Sequence, residues 1–483
     1  MADDKVTFQV PSKEASDCDH GSESTEVHNG NVSELEVFTG GDNSVDFRTV
    51  GWVRAAMFFL KMTFAAGVLS IPASLYTLGA VAGALFILFW GVLNTYMAYL
   101  QGRFKIAHPS IHTVADSAQI AAQELTGSKR TAYAVREATE LLYIMAWILC
   151  SGLSTLGLSI ALNAVTKHGT CSVVFGFVSY VIIASVASIH RIHSLGWITW
   201  VGFISTVSAV LIVVIAVTIP ARPAAAPQTG DFDLGFAASP AKEATFATAW
   251  AASLAIFASS ANTSGFVPVI SEMKRPHDYF KSLYVAMGWI TCAYLSLGLT
   301  VYAYCGKWVT SPALGSAGPT IKTVSYAVSI PGTVAGAMIC VHVAAKSLFV
   351  RFLRGTRHLT ENTMTHWSVW LSCTYGTGLV GWVLCEAIPF YGSLVSLIGA
   401  MGFGPLGIVL PSVLWFCLDR NALTGRTSRV IPRAFHAGLV MLGLFVTFGG
   451  TYAVVVSIVD QYKSGLVGRP FQCADNSNTI QAA

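Results

Sequence analysis

Charged residues are scarce in this sequence. Only 11% of its 483 residues are Asp, Glu, Lys or Arg, whereas 53% are hydrophobic. A soluble domain of ordinary composition carries about 25% charged residues, so most of this chain does not face water. The formal net charge is +4, without a compact block of Lys and Arg interleaved with aromatics. No nucleic-acid partner is therefore expected.

Motifs that carry metal or catalytic chemistry are also missing. The ten cysteines occur singly, with no Cys-x-x-Cys pair and no Cys/His cluster at metal-ligand spacing. No His-Glu-x-x-His or Gly-x-Ser-x-Gly motif is present. The sequence therefore predicts neither an enzyme nor a bound metal or cofactor. Cys171, Cys305 and Cys473 lie near segment ends on one predicted side, where two of them could form a disulfide.

Residues 1–48 have few apolar side chains and are rich in Asp, Glu, Ser and Gly. Such a segment cannot bury enough apolar surface to offset the entropy lost on ordering. We expect a disordered acidic cytoplasmic tail. It lacks a positive region followed by an apolar stretch, so no cleaved signal peptide is expected. Residues 463–483 are predicted as a short C-terminal tail.

The rest of the chain, residues 49–462, contains eleven apolar runs. Each is long enough to cross a bilayer, which takes about 20 mostly apolar residues. They lie at approximately 55–77, 79–99, 137–163, 172–189, 195–219, 246–270, 280–304, 329–353, 367–388, 391–416 and 435–458. The eighth run is predicted to begin close to Pro331. The fold class is therefore an all-α polytopic membrane protein with eleven transmembrane helices.

Most Lys and Arg residues fall in alternate loops, as the positive-inside rule requires if the N-terminus is cytoplasmic. We expect the C-terminus outside, in the plasma membrane, with the vacuolar membrane as the alternative. The long loop between spans two and three has apolar residues near helical spacing at 111–125. It is either an amphipathic helix at the inner surface or a packed connector.

Two spans contain residues that interrupt a helix. Span one carries Gly67 and Pro72, and span six carries a polar cluster followed by Gly265 and Pro268. Irregular backbone at membrane depth is tolerated only where protein or a watery cavity satisfies it. The two breaks therefore point to a site.

The breaks occupy matching positions. Span one begins a block of five spans, repeat A, at about 54–220, and span six begins a second block of five, repeat B, at about 245–417. The eleventh helix, at about 435–458, belongs to neither block. Because five is odd, the second block enters the membrane from the opposite side. That arrangement is typical of an inverted repeat, in which interrupted helices at corresponding positions mark a midplane substrate site.

Two stretches resemble a known family. The Gly-Val-Leu-Ser-Ile-Pro core of residues 64–72 resembles the first-helix motif of the amino acid/auxin permeases, and residues 270–280, ISEMKRPHDYF, resemble that family's signature after the sixth helix. The surroundings of Lys61, His342 and Lys346 are most similar to the fungal neutral amino acid permeases of the methyltryptophan-resistance type. The resemblance implies a five-plus-five inverted fold of the APC/LeuT type with broken helices one and six. It also implies uptake of neutral amino acids, usually with protons.

An amino acid is a zwitterion, so its site needs an anion pocket and a cation pocket a few Å apart. N–H groups around Gly67 and Val68 would bind the carboxylate, and carbonyls of residues 63–65 and 257–259 would bind the ammonium. Phe257 is either the cap of the side-chain pocket or a packing residue, and the Tyr143 hydroxyl has the same two interpretations. The predicted substrate-binding residues are Phe64, Ala65, Ala66, Gly67, Val68, Ser70, Tyr143, Phe257, Ser259, Ser260, Asn262 and Thr263.

Charged and titratable residues inside spans are costly and tend to be functional. Lys61, His342 and Lys346 are each interpreted as proton-coupling groups, with snorkelling to the surface as the alternative for the lysines. Lys346 is the favoured coupling residue, because an ammonium in span eight beside the break could replace a bound sodium ion. Glu272, followed by Lys274 and Arg275, is predicted to form an ion pair at the inner gate, with a role as proton carrier as the alternative.

The function predicted from sequence is a secondary active transporter that imports neutral aliphatic and aromatic amino acids by proton symport. A sodium-coupled symporter of the same fold and a non-transporting nutrient receptor are the alternatives. The expected partners are the amino acid and the lipid bilayer, and the expected oligomeric state is a monomer.

Overall fold

The computed structural model describes residues 50–64, 67–189, 192–359, 361–419, 430–463 and 470–477. The predicted acidic tail at residues 1–48 lies outside the described residues, and so does most of the predicted C-terminal tail. Within the described residues the regular secondary structure is helical, apart from an isolated parallel backbone bridge between Val50 and Met273.

The described residues form sixteen α-helices. In chain order they are α1 Trp52–Phe64, α2 Ile71–Leu78, α3 Ala80–Ala107, α4 Val114–Thr126, α5 Lys129–Thr166, α6 Ser172–Ala187, α7 Ile192–Thr218, α8 Phe246–Ser260, α9 Val267–Glu272, α10 Tyr279–Cys305, α11 Pro319–Leu353, α12 Met364–Ala387, α13 Tyr391–Leu397, α14 Leu410–Leu418, α15 Val430–Leu444 and α16 Gly450–Lys463. Wider π-helical turns join α13 to α14 at Ile398–Phe403 and Pro405–Val409, and join α15 to α16 at Phe445–Gly449.

In the part of the chain that the structure describes, 9 helical stretches are long and apolar enough to cross a bilayer. The pair Tyr391–Phe403 and Pro405–Leu418, bent by 45°, makes a tenth. Helix α6 is apolar but has only 16 residues. The chain is thus a multi-pass helical membrane protein, while the count of eleven and the inverted repeat stay predictions.

Both predicted breaks are present. In span one, α1 ends at Phe64 and a 3₁₀ turn at Gly67–Leu69 precedes α2. In span six, α8 ends at Ser260 and a 3₁₀ turn at Asn262–Phe266 precedes α9. Pro72 and Pro268 each fall in the first turn of the helix that follows, where a missing N–H has no partner to lose.

The prediction for the eighth span was wrong at its start. Helix α11 begins at Pro319 and runs through Pro331. The Ser205 hydroxyl of α7 inserts at this point: it accepts a hydrogen bond from the Gly332 N–H at 2.9 Å and donates to the Val328 carbonyl at 2.6 Å. This bridge replaces the backbone bond between residues 328 and 332, so the proline does not end the helix.

The predicted loop helix is α4. Its first turn is capped reciprocally by Thr113 and Asp116, and Asp116 also pairs with Arg136 of α5 at 3.2 Å. Val114 and Ala118 are buried, and the helix packs against α5 and α14. These contacts are those of a packed connector.

Two groups of helices frame the breaks. Helices α1, α2, α3, α8 and α10 pack together and form the broken-helix group, whereas α5, α6, α11 and α12 form the four-helix group. A disulfide between Cys171, at the start of α6, and Cys473 ties residues 470–477 to the four-helix group. Cys305, the third candidate for a disulfide, is a buried free thiol.

Candidate functional site

The two breaks cross at Gly67 and Ser259. A Cβ atom built on Gly67 would lie 2.6 Å from the Cα of Ser259, so only glycine permits this approach. The Ser259 hydroxyl lies 3.1 Å from the Gly67 carbonyl oxygen, and the Ser70 hydroxyl lies 2.9 Å from the same atom. The space over Gly67 that was predicted to receive substrate is occupied by Ser259 in this conformation.

A second tie joins the breaks through Asn262. Its side-chain N–H donates to the Met62 carbonyl at 2.6 Å, and its side-chain oxygen accepts from the Thr63 hydroxyl at 3.1 Å. Asn262 was predicted to contact substrate, and in the structure it holds α1 against span six.

Carbonyls that the breaks release have protein partners. The hydroxyl of Tyr294, a buried residue of α10, lies 2.9 Å from both the Thr63 and the Ser259 carbonyl oxygens. The Asn94 side chain donates to the Phe257 carbonyl at 3.3 Å and to the Ser260 hydroxyl at 2.8 Å. Each carbonyl keeps a second lone pair, so these oxygens can still accept from a ligand.

The predicted aromatic residues are packing residues in this conformation. The Phe257 ring is fully buried, with its centroid 4.8 Å from that of Trp90. The Phe64 ring lies 5.0 Å from Trp289, and Tyr143 meets Trp147 edge to face at 5.9 Å. Contact of Phe257 and Tyr143 with substrate stays a prediction.

The remaining predicted residues divide into two sets. Val68 and Thr263 are buried at the breaks, whereas Ala65 and Ala66 lie outside the described residues. Ser264, which follows Thr263, has a fully buried hydroxyl that lacks a hydrogen-bond partner in the described part of the chain. A hydroxyl of this kind at a helix break is a candidate for ligand contact.

A cavity of about 680 Å³ reaches the crossing from one end of the bundle, which we call the disulfide end because the disulfide-tied residues 470–477 line it. Two of the lining residues bond directly to the crossing: the Ser70 hydroxyl donates to the Gly67 carbonyl, and the Ala255 carbonyl accepts from the Ser259 hydroxyl at 2.7 Å. Small and polar residues predominate along α2, α8 and α13: Ser70, Ala73, Ser74, Thr77, Thr248, Ala251, Ala252, Ala255, Gly392, Ser393 and Ser396.

The opposite end, which we call the Val50 end, is packed. Val50 donates to the Glu272 carbonyl at 3.0 Å and accepts from the Lys274 N–H at 2.9 Å. Phe59 of α1 stacks on Phe266 with ring centroids 4.1 Å apart. Access to the crossing is therefore open toward the disulfide end and blocked toward the Val50 end.

This backbone pairing takes the place of the predicted inner-gate ion pair. The ion pairs formed by the described residues do not include Glu272 with Lys274 or Arg275. The expected partners were wrong because residues 273 and 274 are drawn into pairing with Val50.

The two predicted coupling lysines differ in burial. Lys61 is 5% exposed, and its ammonium lies 3.5 Å from the Ile198 carbonyl of α7. A Cβ at Gly202 would meet the Lys61 Nζ and the Ala335 Cβ of α11, each at 2.6 Å. Lys61 is thus enclosed by α1, α7 and α11 and does not snorkel to the surface, whereas Lys346 is exposed.

His342 lies apart from the crossing. Its ring is buried against Trp370 of α12 at a centroid distance of 5.1 Å, and its Nδ1 lies 3.2 Å from the Ala187 carbonyl at the end of α6. These are contacts within the four-helix group.

Comparison with known proteins identifies similar sequences. Residues 48–456 match the family model described as transmembrane amino acid transporter protein. Two proteins named transmembrane transporter are 40% identical: one from Fusarium pseudograminearum, covering 97% of this chain and 96% of its own, and one from Gibberella moniliformis, covering 92% of each. The N amino acid transport system protein of Neurospora crassa is 29% identical over 93% of this chain and 95% of its own.

Among solved structures, the chain is similar to Mhp1, a nucleobase-cation-symport-1 family transporter. The closed conformation with bound bromovinylhydantoin gives a TM-score of 0.51 at 12% identity, over 92% of this chain and 99% of Mhp1. The inward-facing conformation gives 0.54 at 11% identity, over 89% and 94%. At such identity the likeness concerns the fold alone.

Proposed function

Because the chain belongs to the transmembrane amino acid transporter family, we propose that it imports neutral aliphatic and aromatic amino acids by proton symport with alternating access. The observation that carries this proposal is the cavity that ends where the two broken helices cross. Its volume, about 680 Å³, lies within the roughly 300–1,000 Å³ of small-molecule pockets.

The chemistry of the crossing suits a zwitterion. Helix α2 points its N-terminal end at the crossing, and the partial positive charge of that end favours a carboxylate. Helices α1 and α8 end there, so their last carbonyls favour an ammonium group. Both ends of an amino acid can thus be bound by backbone, which leaves side-chain preference to the lining of the cavity.

Lys61 is the group that we propose for proton coupling. An ammonium enclosed by three helices has lost most of its hydration, and charged groups held inside a membrane span at this cost are typical of proton relays. Its place between α1, α7 and α11 links the broken helix to two helices outside the broken-helix group. Lys346, which the sequence favoured, is exposed, so the desolvation argument does not apply to it here.

We propose that the disulfide end faces the cell exterior across the plasma membrane, with the vacuolar lumen as the alternative. Disulfides persist in oxidising compartments, which supports this direction for the Cys171–Cys473 bond. A tag after Gln481 should be labelled on intact cells, or from the lumen, and a tag before Val50 should not. Labelling of both tags from the same side would contradict the proposed orientation.

Uptake into vesicles tests the function. The reconstituted protein should accumulate alanine, leucine and tryptophan under an inward proton gradient without sodium, and should not accumulate glutamate or lysine. One pH unit supplies about 1.4 kcal/mol per proton, or roughly tenfold accumulation. Accumulation that requires sodium would establish the sodium-coupled alternative, and tight binding without transport would establish the receptor.

A further inference from the structure

Residues 470–477, which we call the strap, lie across the disulfide end. Cys473 is bonded to Cys171, and the Ala474 carbonyl accepts from the Ser172 hydroxyl. The Asn476 side-chain oxygen accepts from the Asn163 side chain at 2.7 Å. The strap is therefore held by one covalent bond and by specific polar contacts.

The partners of the strap belong to the four-helix group. Asn163 lies on α5 and Cys171 caps α6, while Lys322 of α11 donates to the Ser477 carbonyl. Phe471 contacts the Trp382 ring of α12 at a centroid distance of 6.1 Å. The strap is thus attached to this group and reaches across to face the broken-helix group.

The strap also forms part of the cavity wall. Phe471, Gln472, Ala474, Asp475 and Asn476 line it. Across the cavity the wall is made by α2 and α8, with Ser74, Thr77 and Thr248. A solute that reaches the crossing from the disulfide end passes between these two walls.

We propose that the strap is a specificity-determining element, a wall that limits the size of the amino acid that reaches the crossing. This inference rests on the proposed function, in which the cavity is the access route. Once the disulfide and the polar contacts that hold the strap are removed, that wall of the cavity is no longer fixed. Amino acids with larger side chains then pass.

The main test uses the variant Cys473→Ser/Asn476→Ala in the full-length reconstituted protein, with Cys292→Ser, an exposed free cysteine, as the control. The KM for tryptophan divided by that for alanine should fall roughly tenfold, a discrimination of the size that one or two methylene groups confer. Maximal rates should change little. Cys473→Ser alone should give a smaller shift in the same direction. An unchanged ratio in a variant that transports alanine normally would overturn the proposal.

A second measurement does not depend on transport. Ala252, which lines the cavity, is replaced by cysteine, and its reaction with a small and a bulky methanethiosulfonate reagent is followed from the disulfide end. While the disulfide and the polar contacts hold the strap, the bulky reagent should react much more slowly than the small one. Removal of these contacts should abolish the difference in rate. Equal rates for both reagents with the strap tied would reject the strap as a size limit. If the wild type transported no amino acid, the proposed function would fail while this measurement still decided the role of the strap.

Discussion

The two ends of the broken-helix pair differ in what fills the space between the helices. Toward the disulfide end, α2 and α8 face a cavity of about 680 Å³ lined by serine, threonine and alanine. Toward the Val50 end, α1 and α9 are closed by the Val50–Met273 backbone bridge and by the Phe59–Phe266 stack. Small polar side chains tolerate water, whereas stacked aromatic rings exclude it. The residues at the disulfide end are therefore suited to an open cavity, and those at the Val50 end are suited to a closed one.

In the alternating-access mechanism that we propose, this difference corresponds to one state of the cycle. Between the open and the closed end, Ser259 bonds to Gly67 and Asn262 bonds to Met62, so the two breaks are joined there. A contact at the crossing takes part in opening and closing both the disulfide end and the Val50 end, whereas a contact near one end affects that end alone. Substitutions should therefore have their largest effects at the crossing and graded effects away from it.

The largest effect is expected for Gly67→Leu, which should reduce uptake to background while the protein still reaches the membrane. A side chain at Gly67 meets the backbone of Ser259 at 2.6 Å, and backbone cannot move aside as a flexible side chain can. Gly288→Leu is the matched control, because nothing lies within 4 Å of a Cβ there. Near-normal uptake by Gly67→Leu would show that the crossing is not part of the path.

The breaks could be predicted because they depend on local residues. Gly67, Pro72, Gly265 and Pro268 weaken a helix wherever it lies, and the structure ends its helices beside them. The start of α11 was predicted wrongly for the converse reason. Pro331 is tolerated through the Ser205 hydroxyl, which lies 126 positions away on another helix, and no local pattern contains that contact.

The residues that hydrogen-bond to the two breaks at the crossing could not be predicted from the sequence either. Tyr294 is one of 16 tyrosines, and only its position on α10 beside both breaks distinguishes it. Asn94 did carry a signal, since an amide within an apolar span needs a partner, but its partner on α8 could not be named. The strap was missed because a short polar segment near the C-terminus has no periodicity to interpret.

Lys61→Met should abolish pH-driven accumulation. Under a gradient of one pH unit, accumulation should fall from about tenfold to none, while exchange of substrate across the membrane persists. Lys61 is enclosed by α1, α7 and α11, so methionine keeps the packing and removes the charge. Lys346→Met, at an exposed position, is the control and should keep its accumulation. The reverse result would restore Lys346 as the coupling residue.

Phe59→Ala should weaken the closed end. Loss of the stack on Phe266 removes a buried aromatic contact, and such truncations cost about 3–5 kcal/mol when the space is not refilled. Without the stack, opening the Val50 end costs less, so the variant should spend more time with that end open and the disulfide end closed. Reaction of Ala252→Cys from the disulfide end should therefore slow by roughly tenfold, equivalent to 1.4 kcal/mol. Phe352→Ala, at an exposed ring, is the control. An unchanged rate would mean that this stack does not hold the gate closed.

The smallest effect is expected for Tyr294→Phe, which removes a single hydroxyl from the crossing. That hydroxyl lies 2.9 Å from the Thr63 carbonyl of one break and 2.9 Å from the Ser259 carbonyl of the other, so its loss leaves two buried acceptors with one partner fewer. A hydrogen bond contributes about 0.5–1.5 kcal/mol net, and kcat/KM for alanine should therefore fall roughly threefold to tenfold. Tyr304→Phe, at an exposed position of the same helix, should leave kcat/KM unchanged. If Tyr294→Phe transported as well as the wild type, the hydrogen bonds of Asn262 and Ser259 would suffice to join the two breaks without the Tyr294 hydroxyl.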